Sequence, residues 1–340
     1  MSIKIPSDFI ARPAIMGDLK EAVDLFNACS LDLLGVRQHD LHEQEVDWKT
    51  PMFNLETDSC AVLTLDGDLV GYADVWDGDE PHIQAYSFGK VHPEYRGRGI
   101  GTALLAWQEE RAHEAIAKAP PEAKVCLGQV VNSKDEGAKA LLETHGYKVV
   151  RHFWRMEIVL DTQIPVPQWP KGITVRTFDP ESDLLAVAKA VRDEFKDHWG
   201  FFDTPLEQEL EQWRHWITED KNFDPPLWFL AMDGDNIAGT ALCWPKNTED
   251  PEMGWVNVLG VGRPWRRRGL AIALLHNAFA EFAGRGKSKV GLGVDATSLT
   301  GANRVYERAG MHPTRQRDVY EKELRPGVDL RRHTLDVAEA

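Results

Sequence analysis

An internal repeat constrains the fold of this 340-residue chain more than any other feature of its sequence. Three marks occur in the same order in each half: an Asp-Gly hairpin signal, an Arg-x-x-Gly-x-Gly/Ala run and a glycine that ends a helical pattern. Repeated marks in a fixed order are the signature of a duplicated structural unit. The length is also typical of two domains, so the sequence predicts two copies of one domain.

The marks can be read directly from the sequence. The hairpin signals are Asp66-Gly67-Asp68 and Asp233-Gly234-Asp235, and a tryptophan follows each of them, Trp76 and Trp244. The Arg-x-x-Gly runs are Arg96-Gly97-Arg98-Gly99-Ile100-Gly101 and Arg266-Arg267-Arg268-Gly269-Leu270-Ala271. The helix-ending glycines are Gly146 and Gly310.

A proline-rich segment lies between the two copies. Pro165, Pro167 and Pro170 remove amide donors and stiffen the chain as a linker does. We therefore predict an N-terminal domain at 1–161, a linker at 162–172, a C-terminal domain at 173–325 and a tail at 326–340. The sequence assigns no role to the tail.

Each copy predicts a mixed α/β domain: a strand, two helices, a run of strands, then a helix, a strand, a helix and two final strands. The runs on either side of each Asp-Gly turn alternate as hairpin strands do. After each Arg-x-x-Gly run, apolar residues recur at helical spacing. Each glycine run therefore joins a strand to a helix.

Composition and charge exclude several classes of protein. No run of about 18 apolar residues occurs, so neither a membrane span nor a signal peptide is expected. The net charge of −15 argues against nucleic acid or an anionic membrane as a partner. The four cysteines lack Cys-x-x-Cys spacing, which indicates buried thiols in a reducing cytoplasm and no metal site.

A glycine run between a strand and a helix is suited to an anion, because backbone N–H groups and the positive end of the helix dipole converge there. Two nucleotide motifs are excluded by the residues themselves. The run 97–101 lacks Gly-x-Gly-x-x-Gly spacing, and Glu281 stands where a P-loop ending at Gly286-Lys287-Ser288 requires glycine.

With these two runs in matching contexts, the chain resembles the GCN5-related N-acetyltransferase (GNAT) family over nearly its whole length, twice. The resemblance implies two tandem GNAT domains that use acetyl-CoA as co-substrate and need no metal. It places the CoA pyrophosphate on the Arg-Gly loop and the pantetheine arm along the preceding strand. The implied binding residues are Leu259, Gly260, Val261, Arg266, Arg267, Arg268, Gly269, Leu270, Ala271 and Asn303 in the second copy, and Val91, Arg96, Gly97, Arg98, Gly99, Ile100, Gly101 and Thr102 in the first.

The resemblance also indicates which copy is catalytic. The family often uses a tyrosine four residues before the helix-ending glycine to protonate the departing thiolate. Tyr306 stands there in the second copy, whereas the first copy has Leu142. We therefore expect the C-terminal domain to be catalytic, with Tyr306 as general acid, and the N-terminal domain to keep a CoA loop without that acid.

The general base is less well defined. Among tandem members the layout is most similar to that of mycothiol synthases, which carry a glutamate on the strand before the loop. Trp255 occupies that position here. Asn257 on the same strand is expected to hold a water, with Glu252 or Asp295 acting through it. Leu299 replaces a family asparagine that steadies the pantetheine arm, and Asn303 is the candidate to compensate.

The expected reaction is direct acetyl transfer to a primary amine of a small molecule, by a monomer or homodimer. The acidic and aromatic run 193–202 is a candidate wall for the amine. Two alternatives stay open: acetylation of a cysteinyl amino-sugar as in mycothiol synthases, which Trp255 disfavours, and an inactive acyl-CoA-binding regulatory module, which Tyr306 disfavours.

Overall fold

The structure is a computed structural model that describes residues 4–160 and 164–335. Residues 161–163, where the predicted first domain ends and the predicted linker begins, lie outside the described residues. So do residues 1–3 and residues 336–340 of the predicted tail.

The first half of the chain contains six strands and six helices, numbered in chain order. They are β1 Phe9–Arg12, α1 Leu19–Leu34, α2 Leu41–Trp48, α3 Leu55–Asp58, β2 Ser59–Thr64, β3 Leu69–Trp76, β4 Gln84–Val91, α4 Ile100–Ala112, α5 Glu114–Lys118, β5 Val125–Asn132, α6 Glu136–Thr144 and β6 Lys148–Val159.

The second half repeats most of this order. Its elements are β7 Ile173–Thr177, α7 Leu184–Phe195, α8 Leu206–Glu219, β8 Trp228–Asp233, β9 Asn236–Trp244, β10 Met253–Val261, α9 Leu270–Gly284, β11 Lys289–Asp295, α10 Ala302–Arg308 and β12 His312–Arg325. Short 3-10 turns at Met16–Asp18, Pro93–Tyr95, Pro225–Leu227 and Arg263–Trp265 complete the description.

The chain forms two compact units. Within the described residues, unit 1 comprises residues 4–150 and 317–330, and unit 2 comprises residues 151–160, 164–316 and 331–335. The predicted domains, 1–161 and 173–325, are contiguous, so the units differ from them near each boundary. The difference has a simple cause: most of β6 belongs to unit 2, and β12 belongs to unit 1 from Arg317 onward.

Unit 1 has a sheet in the order β1-β2-β3-β4-β5-β12. All pairs are antiparallel except β4 with β5, which are parallel. Apolar side chains on one face of the sheet pack around Ile100 and Leu104 of α4, and those on the other pack around Phe26 of α1. The alternation of inward residues along each strand produces these two cores.

Unit 2 has the corresponding order β7-β8-β9-β10-β11-β6, and β10 with β11 is its parallel pair. One core surrounds Leu274, Phe279 and Phe282 of α9, and the other lies between the sheet and α7 with α8. The predicted mixed α/β class with two GNAT-type domains is confirmed. One strand, and not the expected two, follows the last helix of each half among the described residues.

Both predicted hairpins are present. Strands β2 and β3 pair antiparallel around Gly67, and β8 and β9 pair around Gly234. Both glycines have positive φ, 98° and 59°, which the tight turns require. The helices that follow the Arg-x-x-Gly runs begin at Ile100 and Leu270, so each run joins a strand to a helix as expected.

Candidate active site

Strands β10 and β11 of unit 2 separate part-way along their length. They pair in parallel from Met253 to Val256, opposite Lys289 to Leu292. A bulge at Asn257 then shifts the register of β10 against β9, and Val258 to Val261 continue with β9 alone. A β-bulge bends its strand in this way. The separated edge leaves backbone groups of β10 available to an extended, amide-containing arm.

The Arg-Gly loop lies at the end of this separated edge. Arg267 has φ of 61° and Gly269 has φ of 85°, so the chain turns sharply before α9. Gly269 is the N-cap of α9, and no side chain caps the helix. The first amides of the helix therefore lack partners within it, and the helix dipole favours an anion there. This geometry suits the CoA pyrophosphate.

Arg266 holds the loop in place through contacts with the protein. Its Nε donates to the carbonyl of Val261 at 3.0 Å, and its guanidinium contacts Asp197 at 2.5 Å and the carbonyl of Glu194 at 3.2 Å. Arg267 and Arg268 are exposed beside the loop. Of the three arginines, Arg266 is therefore held by the protein, and the side chains of Arg267 and Arg268 are the exposed ones.

Asp197 is the centre of this arrangement, and the sequence analysis did not single it out. Its buried carboxylate receives hydrogen bonds from Arg263 at 2.6 Å and from Arg266 at 2.5 Å. These hydrogen bonds, Arg263 first, lower the pKa of Asp197 to about 2. Asp32 forms the same pair with Arg96 in unit 1, at 2.6 Å. Comparing the two halves for acidic residues near the end of the first helix would have found both.

Tyr306 lies on α10 within the core that α9 covers. Its side chain is 7% exposed, and burial raises the pKa of its hydroxyl to about 12. The described residues provide no hydrogen-bond partner for that hydroxyl. A neutral, buried phenol without a partner is a proton donor available to a leaving group.

Asn303 tests whether the site fits the pantetheine arm. Its amide nitrogen donates to the carbonyl of Ala296 at 2.7 Å, while its Oδ1 is buried without a partner in the described structure. A buried acceptor without a donor costs free energy, and an amide N–H of a bound arm would satisfy it. The separated strands, the uncapped helix and Asn303 together fit acetyl-CoA.

The structure places the two candidates for the base differently. Asn257 is exposed in the bulge, at the point where β10 and β11 separate. Glu252 is exposed in the turn before β10, and its backbone N–H donates to the carboxylate of Asp250. Four residues lie between Glu252 and Asn257, so the two are about 16 Å apart along the strand. The structure therefore does not bring Glu252 to Asn257.

Two further residues named from the sequence lie on the face of the sheet that carries α7. Trp255 packs under the guanidinium of Arg155, 5.4 Å from ring centre to Arg155 Cζ. Asp295, at the end of β11, accepts a hydrogen bond from Arg151 at 2.9 Å. Trp255 therefore supplies an aromatic surface, and Asp295 an ion-paired carboxylate, beside the separated strands.

Glu194 on α7 is a candidate that the sequence analysis named only within an acidic run. Its side chain lies over Gly260, so that a Cβ at residue 260 would be 2.8 Å from that of Glu194. Oε2 accepts a hydrogen bond from Thr240 at 2.6 Å, and Oε1 is buried without a partner in the described structure. Burial raises the pKa of Glu194 to about 8. The carboxyl is therefore neutral at pH 7 and able to exchange a proton.

Replacing Glu194 with glutamine is expected to flatten the dependence of stability on pH. The pKa of Glu194 is about 8 in the folded protein against an ordinary value of 4.5, so between these values the folded state holds a proton that the unfolded state has released. Stability should fall as pH rises through this window, by up to about 1.4 kcal/mol per pH unit. Melting temperatures at pH 5.5, 7 and 8.5 measure this slope.

Glu252→Gln is the matched control, because Glu252 is exposed. It should keep the slope of the wild-type protein. Equal slopes in the Glu194→Gln variant and the wild type would contradict a raised pKa at Glu194.

Unit 1 contains a similar loop. Strands β4 and β5 pair from Gln84 to Ser87 and then separate before Val91. Gly97 and Gly99 have φ of 74° and 83°, and Gly99 is the N-cap of α4 without a side-chain cap. The predicted residues Val91, Arg96, Gly97, Arg98, Gly99, Ile100, Gly101 and Thr102 are thus brought to one strand end, loop and helix start.

The rest of unit 1 differs from unit 2. Leu142 is buried where Tyr306 stands in the other unit. Strand β4 pairs with β3 in unbroken register, without a bulge. On the face that carries α1, Phe26 packs against Tyr72 at 5.1 Å and against Phe88 at 5.0 Å between ring centres. An aromatic cluster therefore covers this face of the sheet in unit 1.

Comparisons with known proteins agree with this geometry. Residues 188–311 match the acetyltransferase (GNAT) family, and residues 56–149 match the acetyltransferase (GNAT) domain. A mycothiol acetyltransferase of Thermobispora bispora is 31% identical over 265 residues, which are 73% of this chain and 79% of that one. The chain belongs to the GNAT family of acetyltransferases. It is an acetyl-CoA-dependent N-acetyltransferase with two tandem GNAT domains.

Further relatives support the tandem arrangement of this acetyltransferase. A mycothiol acetyltransferase of Nocardia farcinica is 31% identical over 73% of this chain and 77% of its own. The crystal structure of a GCN5-related N-acetyltransferase from Sphaerobacter thermophilus is 37% identical, with a TM-score of 0.78 over 96% of this chain and 99% of that one. A tandem GNAT protein from the clavulanic acid pathway, 19% identical, shares the fold, with a TM-score of 0.69 over 94% of this chain and 100% of its own.

Three further observations concern metal ligands, membrane-spanning helices and the cysteines. In residues 4–160 and 164–335, no group of three or more His, Cys, Asp or Glu side chains is arranged to hold a metal ion. None of the described helices has the length and apolar character that crossing a membrane demands. All four cysteines are buried, as the sequence predicts.

Proposed function

We propose that unit 2 of this acetyltransferase transfers the acetyl group of acetyl-CoA directly to a primary amine of a small molecule. Tyr306 is the general acid, and unit 1 keeps a CoA loop without chemistry. Domain limits close to the predicted 1–161 and 173–325 remain part of this proposal, as does action as a monomer or homodimer.

One contrast between the two copies carries the assignment. Both units have an Arg-x-x-Gly loop beside separated strands. In unit 2 they occur together with Tyr306, a largely buried tyrosine four residues before the helix-ending Gly310, and with a bulge at Asn257. The corresponding positions of unit 1 hold Leu142 and an unbroken strand. A leucine side chain has no proton to donate.

The residues of unit 2 support each part of the reaction. The amine nitrogen forms a bond to the acetyl carbon, and the C–S bond to CoA breaks. Tyr306 gives its proton to the departing sulfur, and water at the exposed Asn257 carries away the proton that the amine loses. In this proposal, backbone N–H groups of β10 near Val258 stabilise the oxyanion.

Acetylation of a cysteinyl amino-sugar is the second candidate. It is supported by relatives named mycothiol acetyltransferase that are about 31% identical over most of their length. Trp255 argues against it, because an indole cannot accept a proton where those enzymes are expected to carry a glutamate. A polyamine, an amino acid or an aminoglycoside-like amine is therefore favoured as the acceptor.

Calorimetric titration of acetyl-CoA tests the binding half of the proposal. Valine at Gly269 is expected to weaken binding at unit 2 by at least about tenfold, because φ of 85° is strained for a β-branched residue and its side chain obstructs the loop amides. Gly99→Val is the matched variant of unit 1. Unchanged binding in the Gly269→Val variant would remove the loop of unit 2 from the proposed site.

An amine panel tests the chemical half. CoA release is measured by chromatography with glucosamine, cysteinyl-glucosamine, spermidine, lysine and kanamycin. Gly269→Val should abolish turnover, and Gly99→Val should retain it. Preferred turnover of cysteinyl-glucosamine would select the second candidate, and loss of turnover in the Gly99→Val variant alone would assign catalysis to unit 1.

A further inference from the structure

The space around three glycines shows which face of the unit 2 sheet an amine can approach. A Cβ at Gly254 would meet Phe282 of α9, whereas one at Gly260 would meet Glu194 of α7. Helices α9 and α10 thus cover one face of the sheet, with Tyr306 among them. On the other face, nothing lies within 4 Å of a Cβ at Gly293. The amine therefore has an open approach above Gly293, which we call the acceptor opening.

A chain of contacts runs from the acceptor opening to the α7–α8 loop. Asp295 follows Gly293 by two residues and so lies on the same face of β11. Arg151 donates to Asp295 at 2.9 Å, and its guanidinium carbon lies 5.2 Å from the ring centre of Trp199. Trp199 and Asp295 therefore form a wall of this opening, with Arg151 between them.

The C-terminal segment 331–333 holds this wall. The N–H of Gly200 donates to the carbonyl of Arg332 at 2.7 Å, and the N–H of Arg332 donates to the carbonyl of Phe201 at 2.8 Å. The ring of His333 meets Trp199 edge-on, 5.5 Å between centres. Two backbone hydrogen bonds and one ring contact therefore join the segment to residues 199–201. The segment is thus attached to the residues that flank the acceptor opening.

We propose that the segment Arg331–His333 positions Trp199 at the acceptor opening of unit 2 and so determines the affinity for the amine. The inference rests on the proposed function of unit 2. The CoA loop has its own support, because Asp197 holds Arg263 at 2.6 Å and Arg266 at 2.5 Å, while its contact with Arg332 is 3.8 Å. Loosening the segment should therefore raise KM for the amine more than KM for acetyl-CoA.

Three variants of the full-length chain test this. His333→Ala removes the ring contact with Trp199, and Arg332→Pro removes the N–H that donates to Phe201. Each is expected to raise KM for the most active amine of the panel by about tenfold, the worth of one or two such contacts. The values of kcat and of KM for acetyl-CoA should stay within about twofold. Thr334→Ala is the control, because Thr334 is exposed and makes none of these contacts.

Rescue separates positioning from a general effect on folding. His333→Phe keeps a ring beside Trp199 and should restore the KM of the wild-type protein. A fall in kcat and a rise in both KM values together would contradict the inference, as would an unchanged amine KM in His333→Ala and Arg332→Pro.

A second measurement does not depend on turnover. Hydrogen exchange at the Gly200 amide should accelerate at least about tenfold in Arg332→Pro, and stay unchanged in Thr334→Ala. If the wild-type protein acetylates no amine, the proposed function fails, and this exchange experiment alone decides whether the segment holds the loop. Equal exchange rates of the Gly200 amide in the wild-type protein, Arg332→Pro and Thr334→Ala would overturn the inference.

Discussion

Phenylalanine at Tyr306 is expected to lower kcat for acetyl transfer by about a hundredfold or more at pH 7, the usual contribution of a positioned general acid. The substitution keeps the ring that packs in the core of unit 2 and removes only the hydroxyl. The KM for acetyl-CoA should change little, because the proton is needed only when the C–S bond breaks. Steady-state and pre-steady-state measurements of CoA release give both quantities.

The effect of Tyr306→Phe should depend on pH in a defined direction. Burial raises the pKa of Tyr306 to about 12, so the hydroxyl remains protonated through the neutral range. A thiol has a pKa of about 8.5 and leaves more readily as a free thiolate above that value. The ratio of wild-type to variant kcat should therefore narrow as pH rises from 7 to 9.5. A constant ratio would indicate that Tyr306 acts in another way.

Tyr147→Phe is the matched control, because Tyr147 is a buried tyrosine of unit 1. Removal of the Tyr147 hydroxyl should leave kcat within about twofold of the wild-type value. A hundredfold loss in this variant, with none in Tyr306→Phe, would move the chemistry to unit 1.

The repeat made most of the fold predictable from the sequence. The Asp-Gly turns at Gly67 and Gly234 fix the local hairpins, and the Arg-x-x-Gly runs fix the strand-to-helix joins at Ile100 and Leu270. These are local signals, which depend on a few neighbouring residues. Strand β6 pairs with β11, and β12 pairs with β5, so each strand joins a unit through residues distant in sequence. Local patterns do not report such pairing, and the sequence analysis therefore predicted contiguous domains.

Site residues could be predicted where a sequence motif fixes their position. They could not be predicted where their role depends on tertiary contacts. Tyr306 and the loop follow from their spacing to glycines. Glu194 on α7 and Asp197 just after its end stand three residues apart, yet one is a neutral carboxyl and the other an ion-paired carboxylate. Their difference comes from Thr240 and Gly260 on one side and two arginines on the other, which only the tertiary structure brings together.

Asparagine at Asp197 is expected to destabilise unit 2 by about 2 kcal/mol and to weaken acetyl-CoA binding by at least about tenfold. Asp197 is 2% exposed, and its removal leaves the guanidinium groups of Arg263 and Arg266 without their carboxylate. Hydrogen bonds to charged groups contribute about 1.5–3 kcal/mol, and because the two arginine side chains are 39% and 27% exposed, water partly replaces the lost carboxylate. Arg266 would then lose the contact that orients it toward Val261, and the loop amides would lose their fixed direction.

Asp32→Asn provides the matched control within the same molecule. Asp32 forms the equivalent pair with Arg96 in unit 1, but both side chains are 47% exposed. Exposed ion pairs contribute about 0–1 kcal/mol, so this variant should unfold almost as the wild-type protein does. Calorimetric unfolding and acetyl-CoA titration of both variants measure the two effects. Equal and small effects of Asp197→Asn and Asp32→Asn would contradict the role of Asp197, because Asp197 is the more buried carboxylate and holds two arginines.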